Sequence, residues 1–542
     1  MTAGMAQTFT QFSRGVVANF LQTVVVLDDG AYIDPTEPIG EVLEPDDSQS
    51  IAEETEAEAM TATPLPERSS PNALDAQALI TSFAERGLVC GVLVPWKDGQ
   101  SADATVLASR RADIVILDWQ LGDEGEKATE IIKTLLTQDA EGGGRLRMIV
   151  VYTAKPDLAP VREAVAGAVP ALKSIDGLAG ALALAGDHTR IVFISKGKTS
   201  DISKAVSEGD LADRLISEFV ELGSGVLSNV ALGAIAAIRD ETHKVLARFH
   251  PALDAPFLTH RLLLITPDDA EGYAVDLLTS EFQAILNGRN LGRTHAGSEI
   301  IEAALAEITA GGGQYRLMTQ KNSENGPVVL TADQLMKLVE KGPAGLSEIQ
   351  GVQVGGANSL HHRVYLLRSD TMADGLASHR EFARISAHSR ERATVPPGWR
   401  ARLDLGSIVR RGEDYFLCIQ PACDALRLNE PTQFIFAALH RDEGAFDLVV
   451  KDVAGAEVCL RLETKAANIV TATFAPDGDA KVVLSSLAAE DFAFVASSGE
   501  IFAWMADLRV SIALRFVHRI ANDLARIGLD EFEWQRRFAP VT

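Results

Sequence analysis

Short apolar runs that end on polar residues alternate with helical spacing over the first two hundred residues. Thr23 to Leu27 reads TVVVL and ends on Asp28 and Asp29. Ile114 to Leu117 reads IVIL and ends on Asp118. Arg147 to Tyr152 runs into Thr153-Ala154, and Arg190 to Ser195 runs into Lys196. Runs this short and this β-branched read as buried strands. Between them, Ala73 to Arg86, Ala102 to Arg111 and Glu124 to Thr137 carry apolar residues at three- and four-residue spacing, and VCGVLVPW supplies a further strand. Parallel neighbours need crossover connections, so the alternation predicts an α/β domain over residues 1–200, a doubly wound, five-stranded parallel sheet. Ala159 to Ala185, rich in Ala, Leu and Gly, is expected to supply two helices before the last strand.

The texture then changes twice. Asp201 to Leu222, Gly225 to Phe249 and Tyr273 to Leu286 have helical spacing, which predicts a helical region over 201–314. From about residue 315, HRVYLLRS, DYFLCIQP, QFIFAALH, FDLVVKD, AEVCLRLE, IVTATFA and KVVLSSL read as short strands. Phe502 to Arg537 returns to helical spacing, with Trp504, Leu508, Ile512, Leu514, Phe516 and Ile520 as its apolar stripe. Residues 315–542 therefore read as an α+β domain. They contain no P-loop, dinucleotide fingerprint, GxSxG or HExxH.

Candidate chemistry sits where the predicted strands end. Open α/β sheets bind ligands at the carboxyl ends of their strands. Three carboxylates converging there raise one another's pKa unless a hard cation joins them, and Mg²⁺ is the expected one because it takes oxygen ligands and accepts a phosphate oxygen. An amine and a hydroxyl, Lys196 and Thr153, would then hold the oxygens of a phosphoryl group carried on Asp118. Singly, each of these residues reads as a cap or a turn residue. In this order, at successive strand ends, they read as one site.

That order resembles the receiver domain of two-component response regulators, a flavodoxin-like fold. The resemblance implies that Asp118 is the phosphoacceptor and that Asp28, Asp29 and Asp118 hold the metal with the backbone carbonyl of Gln120. It also implies that Thr153 and Lys196 bind the phosphoryl oxygens, that Phe193 is the aromatic switch, and that Lys155 sets phosphoryl lifetime. A histidine kinase is the implied donor. The chain departs from the pattern in the long gap from Asp29 to Asp118, the moderately longer gap from Thr153 to Lys196, and Gly122 in place of a common proline.

Composition accounts for the first gap. Ala31 to Glu67 contains no Lys or Arg, is crowded with Asp and Glu and carries five prolines, so residues 31–72 read as a solvated, disordered acidic insertion. The net charge of −25 weighs against nucleic acid as a partner, because phosphate would be repelled. No apolar run reaches the roughly 20 residues needed to span a membrane, and no signal peptide is expected. Cys90, Cys418, Cys423 and Cys459 in so long a chain suggest reduced thiols and a cytoplasmic address. The length suggests about two to four domains.

The remaining signals are weaker. His243, His361, His362 and His388 lack acids or cysteines at metal-ligand spacing and are assigned no role. Cys423-Asp424 in YFLCIQPACDALRL could be a nucleophile and its orienter, which would require a buried pocket with perturbed ionisation; a capped turn is the simpler reading. The layout as a whole resembles the large response-receiver proteins of bacterial anti-phage two-component-like operons of the Detocs type. Its setting implies a role in anti-phage defence, while the absence of a DNA-binding or catalytic motif suggests a regulator, not an enzyme, with output by protein contact to an effector or as a phosphate sink, and the helical region after the receiver reads as a candidate dimerisation bundle. The alternatives are an inactive receiver used as a docking scaffold and a carboxy-terminal enzyme gated by the receiver. A HAD-like phosphohydrolase fits less well, since Trp119-Gln120 breaks its D-x-D spacing.

Overall fold

The computed structural model describes residues 7–32, 73–93, 102–121, 124–186, 188–196, 205–223, 225–264, 267, 269–319, 327–346, 348–349, 364–368, 372–396, 398–444, 446–478, 480–486 and 492–525. The chain divides into two units, residues 1–307 and 308–542. Most of the acidic insertion, together with Gly122, His361 and His362, lies outside the described residues.

The first unit begins α1 (Phe9–Phe20), β1 (Thr23–Leu27), α2 (Ala76–Ala84), β2 (Val89–Leu93), α3 (Ala102–Ser109), β3 (Ile114–Leu117), α4 (Glu126–Glu141) and β4 (Arg147–Thr153). It continues α5 (Ala159–Ala168), β5 (Lys173–Asp176), β6 (Leu182–Ala185), β7 (Thr189–Ser195) and α6 (Glu208–Gly223). Five strands run parallel in the order β2-β1-β3-β4-β7. One face is covered by α1, α2 and α6, whose Phe20, Phe83 and Phe219 lie in one core; the other buries Ile132 and Leu135 of α4 and Val165 of α5 beside Trp119 and Phe193. Burial on both faces is why β3 and β4 read as unbroken apolar runs.

The sheet is wider than five strands. Residues 159–185 form one helix, α5, and then a β5–β6 hairpin, not two helices, and β6 adds antiparallel to β7 so that Leu182 sits opposite Phe193. An Ala- and Leu-rich stretch carries no strong local preference; pairing with an open sheet edge decided it. The hairpin is clamped by Glu218 of α6, which is fully buried. Its carboxylate accepts from the backbone N–H of Leu178 (3.0 Å), from Arg190 of β7 (2.8 Å) and from Arg214 (2.7 Å), which also donates to the Leu178 carbonyl.

Helices complete this unit: α7 (Val226–Asp240), α8 (Thr242–Arg248), α9 (Asp254–Leu263), α10 (Asp269–Gly288), α11 (Leu291–Ala296) and α12 (Ser298–Ala310). Helix α7 packs on α1, with Asn229 donating to Ser13 at 2.9 Å and Arg239 to the Phe20 carbonyl at 2.8 Å. His243 is exposed on α8, its Nδ1 3.2 Å from the Asp240 carbonyl.

The second unit opens with β8 (Tyr315–Thr319), β9 (Val328–Leu330), α13 (Ala332–Lys341), α14 (Pro343–Leu346), β10 (Val364–Leu367) and α15 (Met372–Ala387). Its larger sheet comprises β11 (His388–Glu391), β12 (Ser407–Arg411), β13 (Asp414–Cys418), β14 (Thr432–Arg441), β15 (Leu448–Lys451), β16 (Glu457–Leu462), β17 (Ile469–Phe474), β18 (Ala493–Val495) and β19 (Ile501–Leu508). A final helix is α16 (Val510–Leu524). Strands β10-β8-β9 form a small antiparallel sheet. In the larger sheet β19, β12, β13, β14 and β17 pair in succession, β18 pairs β19, and the Phe474↔Ala496 bridge joins β17 to the residue after β18. The circuit therefore closes on itself. Phe434, Phe436, Phe474, Phe494, Phe502 and Trp504 form one core with Cys418, while Phe516 and Ile520 of α16 belong to the core that contains Tyr415 and Leu417.

Two expectations fail here. KVVLSSL makes only the isolated bridge Arg402↔Leu484 instead of a strand. Phe502 to Leu508 is strand β19, and the helix starts at Val510. β19 is buried on both faces, so apolar Trp504 and Leu508 fall four apart by accident of a continuous run and mimic a helical stripe. Leu514 is exposed, and residues 526–537 lie outside the described residues.

His388, assigned no role from sequence, is buried with its Nδ1 2.8 Å from Glu391, which also pairs with Arg384 at 2.7 Å. The hydrogen bond to His388 is the main reason that the Glu391 carboxyl falls from 4.5 to about 2, burial opposing it and Arg384 assisting. A depressed carboxyl contributes stability that is full above its unfolded pKa and lost as pH falls through the folded one. In urea unfolding between pH 4.5 and about 2, the wild type is expected to lose stability more steeply than Glu391→Gln; parallel curves would refute this.

Candidate functional site

Parallel register brings the strand ends together. Leu27 is paired with Leu117, so Asp28 and Asp118 follow side by side, and Asp118 N–H donates to the Leu27 carbonyl at 2.9 Å. Thr153 is paired with Ser195, placing Lys196 just beyond, its N–H donating to the Thr153 carbonyl at 2.9 Å. Lys196, 3% exposed at its side chain, donates its ammonium to Asp28 and, at 2.8 Å, to Asp118. Asp28, Asp29 and Asp118 each offer a carboxylate oxygen, all within 4.8 Å of one another.

The electrostatics follow from burial and crowding. Burial pushes the Asp28 carboxyl above its usual range; Lys196 opposes this and the neighbouring Asp118 adds to it. Asp29 is likewise raised, first by burial and then by Asp118. For Lys196 burial favours the neutral amine, but Asp28 and Asp118 together outweigh it and the pKa is raised. Three carboxylates thus face one ammonium, and hard oxygen donors in excess negative charge suit a divalent cation.

The other predicted residues surround this centre. Thr153 is buried at the end of β4, its hydroxyl 3.4 Å from the Lys155 N–H. The Lys155 ammonium is 2.5 Å from Glu124, in the loop after Asp118. Gln120 donates its N–H to Asp118 at 3.2 Å. Phe193 is fully buried on β7. The ends of the acidic insertion are pinned near the centre, since Tyr32 and Asp75 form a parallel bridge four residues past Asp28.

Three neighbours were not legible beforehand. Tyr152 places its ring 5.7 Å from the Lys196 ammonium and donates its hydroxyl to the Val206 carbonyl at 2.7 Å, ahead of α6. Glu124, as the partner of Lys155, has no sequence signal. Gly125 precedes α4 at φ 105°, where a Cβ would come within 2.1 Å of the buried Trp119 indole. Gly125→Ala combines that clash with a left-handed backbone. It should destabilise the unit by about 1–3 kcal/mol and change tryptophan emission, as urea unfolding followed by fluorescence would show; an unchanged midpoint would contradict it.

Cys423 and Asp424 do not lie in a buried pocket. Cys423 is exposed on a turn, its thiol 3.5 Å from Asp424. Burial pushes the Cys418 thiol up to about 12 and that of Cys459 up to about 11, and Cys90 in the first unit is also raised to about 12, so these three favour the unreactive thiol.

A doubly wound sheet with an acid pair after its first strand, a single acid after the third, a hydroxyl after the fourth and an amine after the fifth of its parallel strands defines the receiver class of domain. Residues 20–201, about a third of the chain, match the family model described as a response receiver domain, spanning β1 to just past Lys196. No curated protein and no solved structure matches the chain. A receiver domain points to a regulator that responds to phosphorylation. Among the described residues no helix is long and apolar enough to cross a membrane.

Proposed function

We propose that Asp118 accepts a phosphoryl group from the phosphohistidine of a histidine kinase and that the chain signals the modified state by protein contact. The observation that carries this reading is the Lys196 ammonium joining Asp28 and Asp118 at adjoining strand ends, within a segment matching the receiver model. An Asp118 carboxylate oxygen attacks phosphorus, the P–N bond breaks and its electron pair remains on the imidazole nitrogen. Asp28, Asp29, Asp118 and the Gln120 carbonyl would hold Mg²⁺, which when bound would supply the positive charge that lets a phosphate oxygen approach three carboxylates. Lys196 exchanges its bond with the Asp118 oxygen for one with a phosphoryl oxygen, and the Thr153 hydroxyl donates to another. Both draw the ends of β4 and β7 toward Asp118, and Phe193 follows.

The gain of about −1.5 to −2 charge has an output only if it biases an element with two arrangements. Tyr152, in contact with both Lys196 and the segment before α6, is the natural route to the helices. Lys155, tied to Glu124, limits water at the acyl phosphate and sets its lifetime. The net charge of −25 disfavours DNA as the target; an effector protein, a second copy, or competition with another receiver for phosphate fits better. The layout of receiver, helices and α+β unit is what supports a role in anti-phage defence.

Beryllofluoride with Mg²⁺, a mimic of the acyl phosphate, is expected to change the fluorescence of Trp119, adjacent to Asp118, in a Mg²⁺-dependent way. A folded protein that gives no response would refute the phosphoacceptor reading and leave a docking scaffold.

A further inference from the structure

Thr153 has a neighbour across the sheet that the phosphoryl chemistry leaves unused. Register pairs it with Ser195, the last residue of β7. Side chains alternate along a strand. Ile149 and Val151 of β4 and Ile191 and Phe193 of β7 share the core of Trp119, and they set the face on which Thr153 and Ser195 also lie. Ser195 is fully buried, and its hydroxyl has no hydrogen-bond partner among the described residues. Its backbone is held in place: the Ser195 carbonyl accepts from the Val206 N–H at 3.1 Å, and the Val206 carbonyl accepts from the Tyr152 hydroxyl at 2.7 Å. A hydroxyl buried without a partner costs free energy in this state.

The spare capacity is on Thr153. A hydroxyl has one proton and two lone pairs, and the contact of this one with the Lys155 N–H, at 3.4 Å, is long. Paired side chains on neighbouring strands stand about 5 Å apart at Cβ, so a change of rotamer at either residue brings the two oxygens to hydrogen-bond distance. We propose that Ser195 is a positioning residue for phosphoryl binding: its hydroxyl donates to the Thr153 oxygen once the Thr153 proton lies on a phosphoryl oxygen carried by Asp118. A hydroxyl that accepts one bond is polarised to donate the next more strongly. Ser195 is unpaired while the site is empty and paired when it is loaded, so the new bond favours the loaded state alone. The inference rests on Asp118 being the phosphoryl site.

The test is a beryllofluoride titration of the full chain at saturating Mg²⁺, followed by tryptophan fluorescence, beside a titration with Mg²⁺ alone. Ser195→Ala is expected to raise the beryllofluoride concentration at half-response about fivefold, the worth of one hydrogen bond. Half-saturation by Mg²⁺ alone should stay where it is, since the Ser195 hydroxyl makes no bond to Asp28, Asp29 or Asp118. The urea midpoint should not fall, because the substitution removes an unpaired polar group. Ser195→Cys fills similar space with a weak donor and should track Ser195→Ala. A residue that only filled space would move both titrations and the midpoint together. Ser195→Ala or Ser195→Cys with the wild-type beryllofluoride titration overturns the inference, and so does a parallel loss of Mg²⁺ and beryllofluoride affinity. A folded wild type without any Mg²⁺-dependent response overturns the phosphoacceptor reading and this inference with it, which separates the two failures.

Discussion

Asp118→Asn is expected to abolish the beryllofluoride response while leaving the protein folded. The amide cannot act as the phosphoryl acceptor, so incorporation from any phosphodonor should fall to background. Loss of one charged oxygen ligand should also weaken Mg²⁺ binding by about 1.5–3 kcal/mol, roughly ten- to a hundredfold. Folding should not suffer, because the substitution removes a charge that raises the pKa of both Asp28 and Asp29, and Lys196 keeps its bond to Asp28. The decisive comparison is therefore urea stability beside phosphoryl incorporation. Retained incorporation would place the acceptor elsewhere; lost incorporation with lost stability would make the result one of folding.

The second large effect lies away from the acids. Glu218→Ala should destabilise the first unit by about 3–5 kcal/mol, because it leaves the buried Arg190 guanidinium without its counter-charge. The same carboxylate holds the Leu178 N–H and Arg214, so the β5–β6 hairpin should also loosen. A shift of the urea midpoint with raised hydrogen exchange over residues 173–185 would establish both consequences. A loss below about 1 kcal/mol, the range of exposed pairs, would mean that water reaches Arg190 and replaces the carboxylate.

Much of the receiver segment was legible because its signals are local. A parallel strand buried on both faces must be a continuous apolar run, and the first polar residue after it must lie at the carboxyl edge; Asp28, Asp118, Thr153 and Lys196 were identified in this way. The hairpin of residues 173–185 was not, since Ala- and Leu-rich sequence serves helix and strand alike and only the open edge of β7 chose between them. Strand β19 was misread because burial on both faces erased its two-residue alternation. His388 and Glu391 were overlooked because their bond depends on β11 turning the pair inward beside Arg384.

The sequence by itself determined which residues lie at the ends of the parallel strands, because strand length, β-branching and the polar residue that stops each run are properties of neighbouring positions. Tertiary structure alone decided that Lys196 reaches across to Asp28 and Asp118, that Tyr152 touches both Lys196 and the approach to α6, and that Ser195 is buried beside Thr153. These depend on register and packing between residues far apart in the chain, and no local pattern encodes the distance between two strand ends.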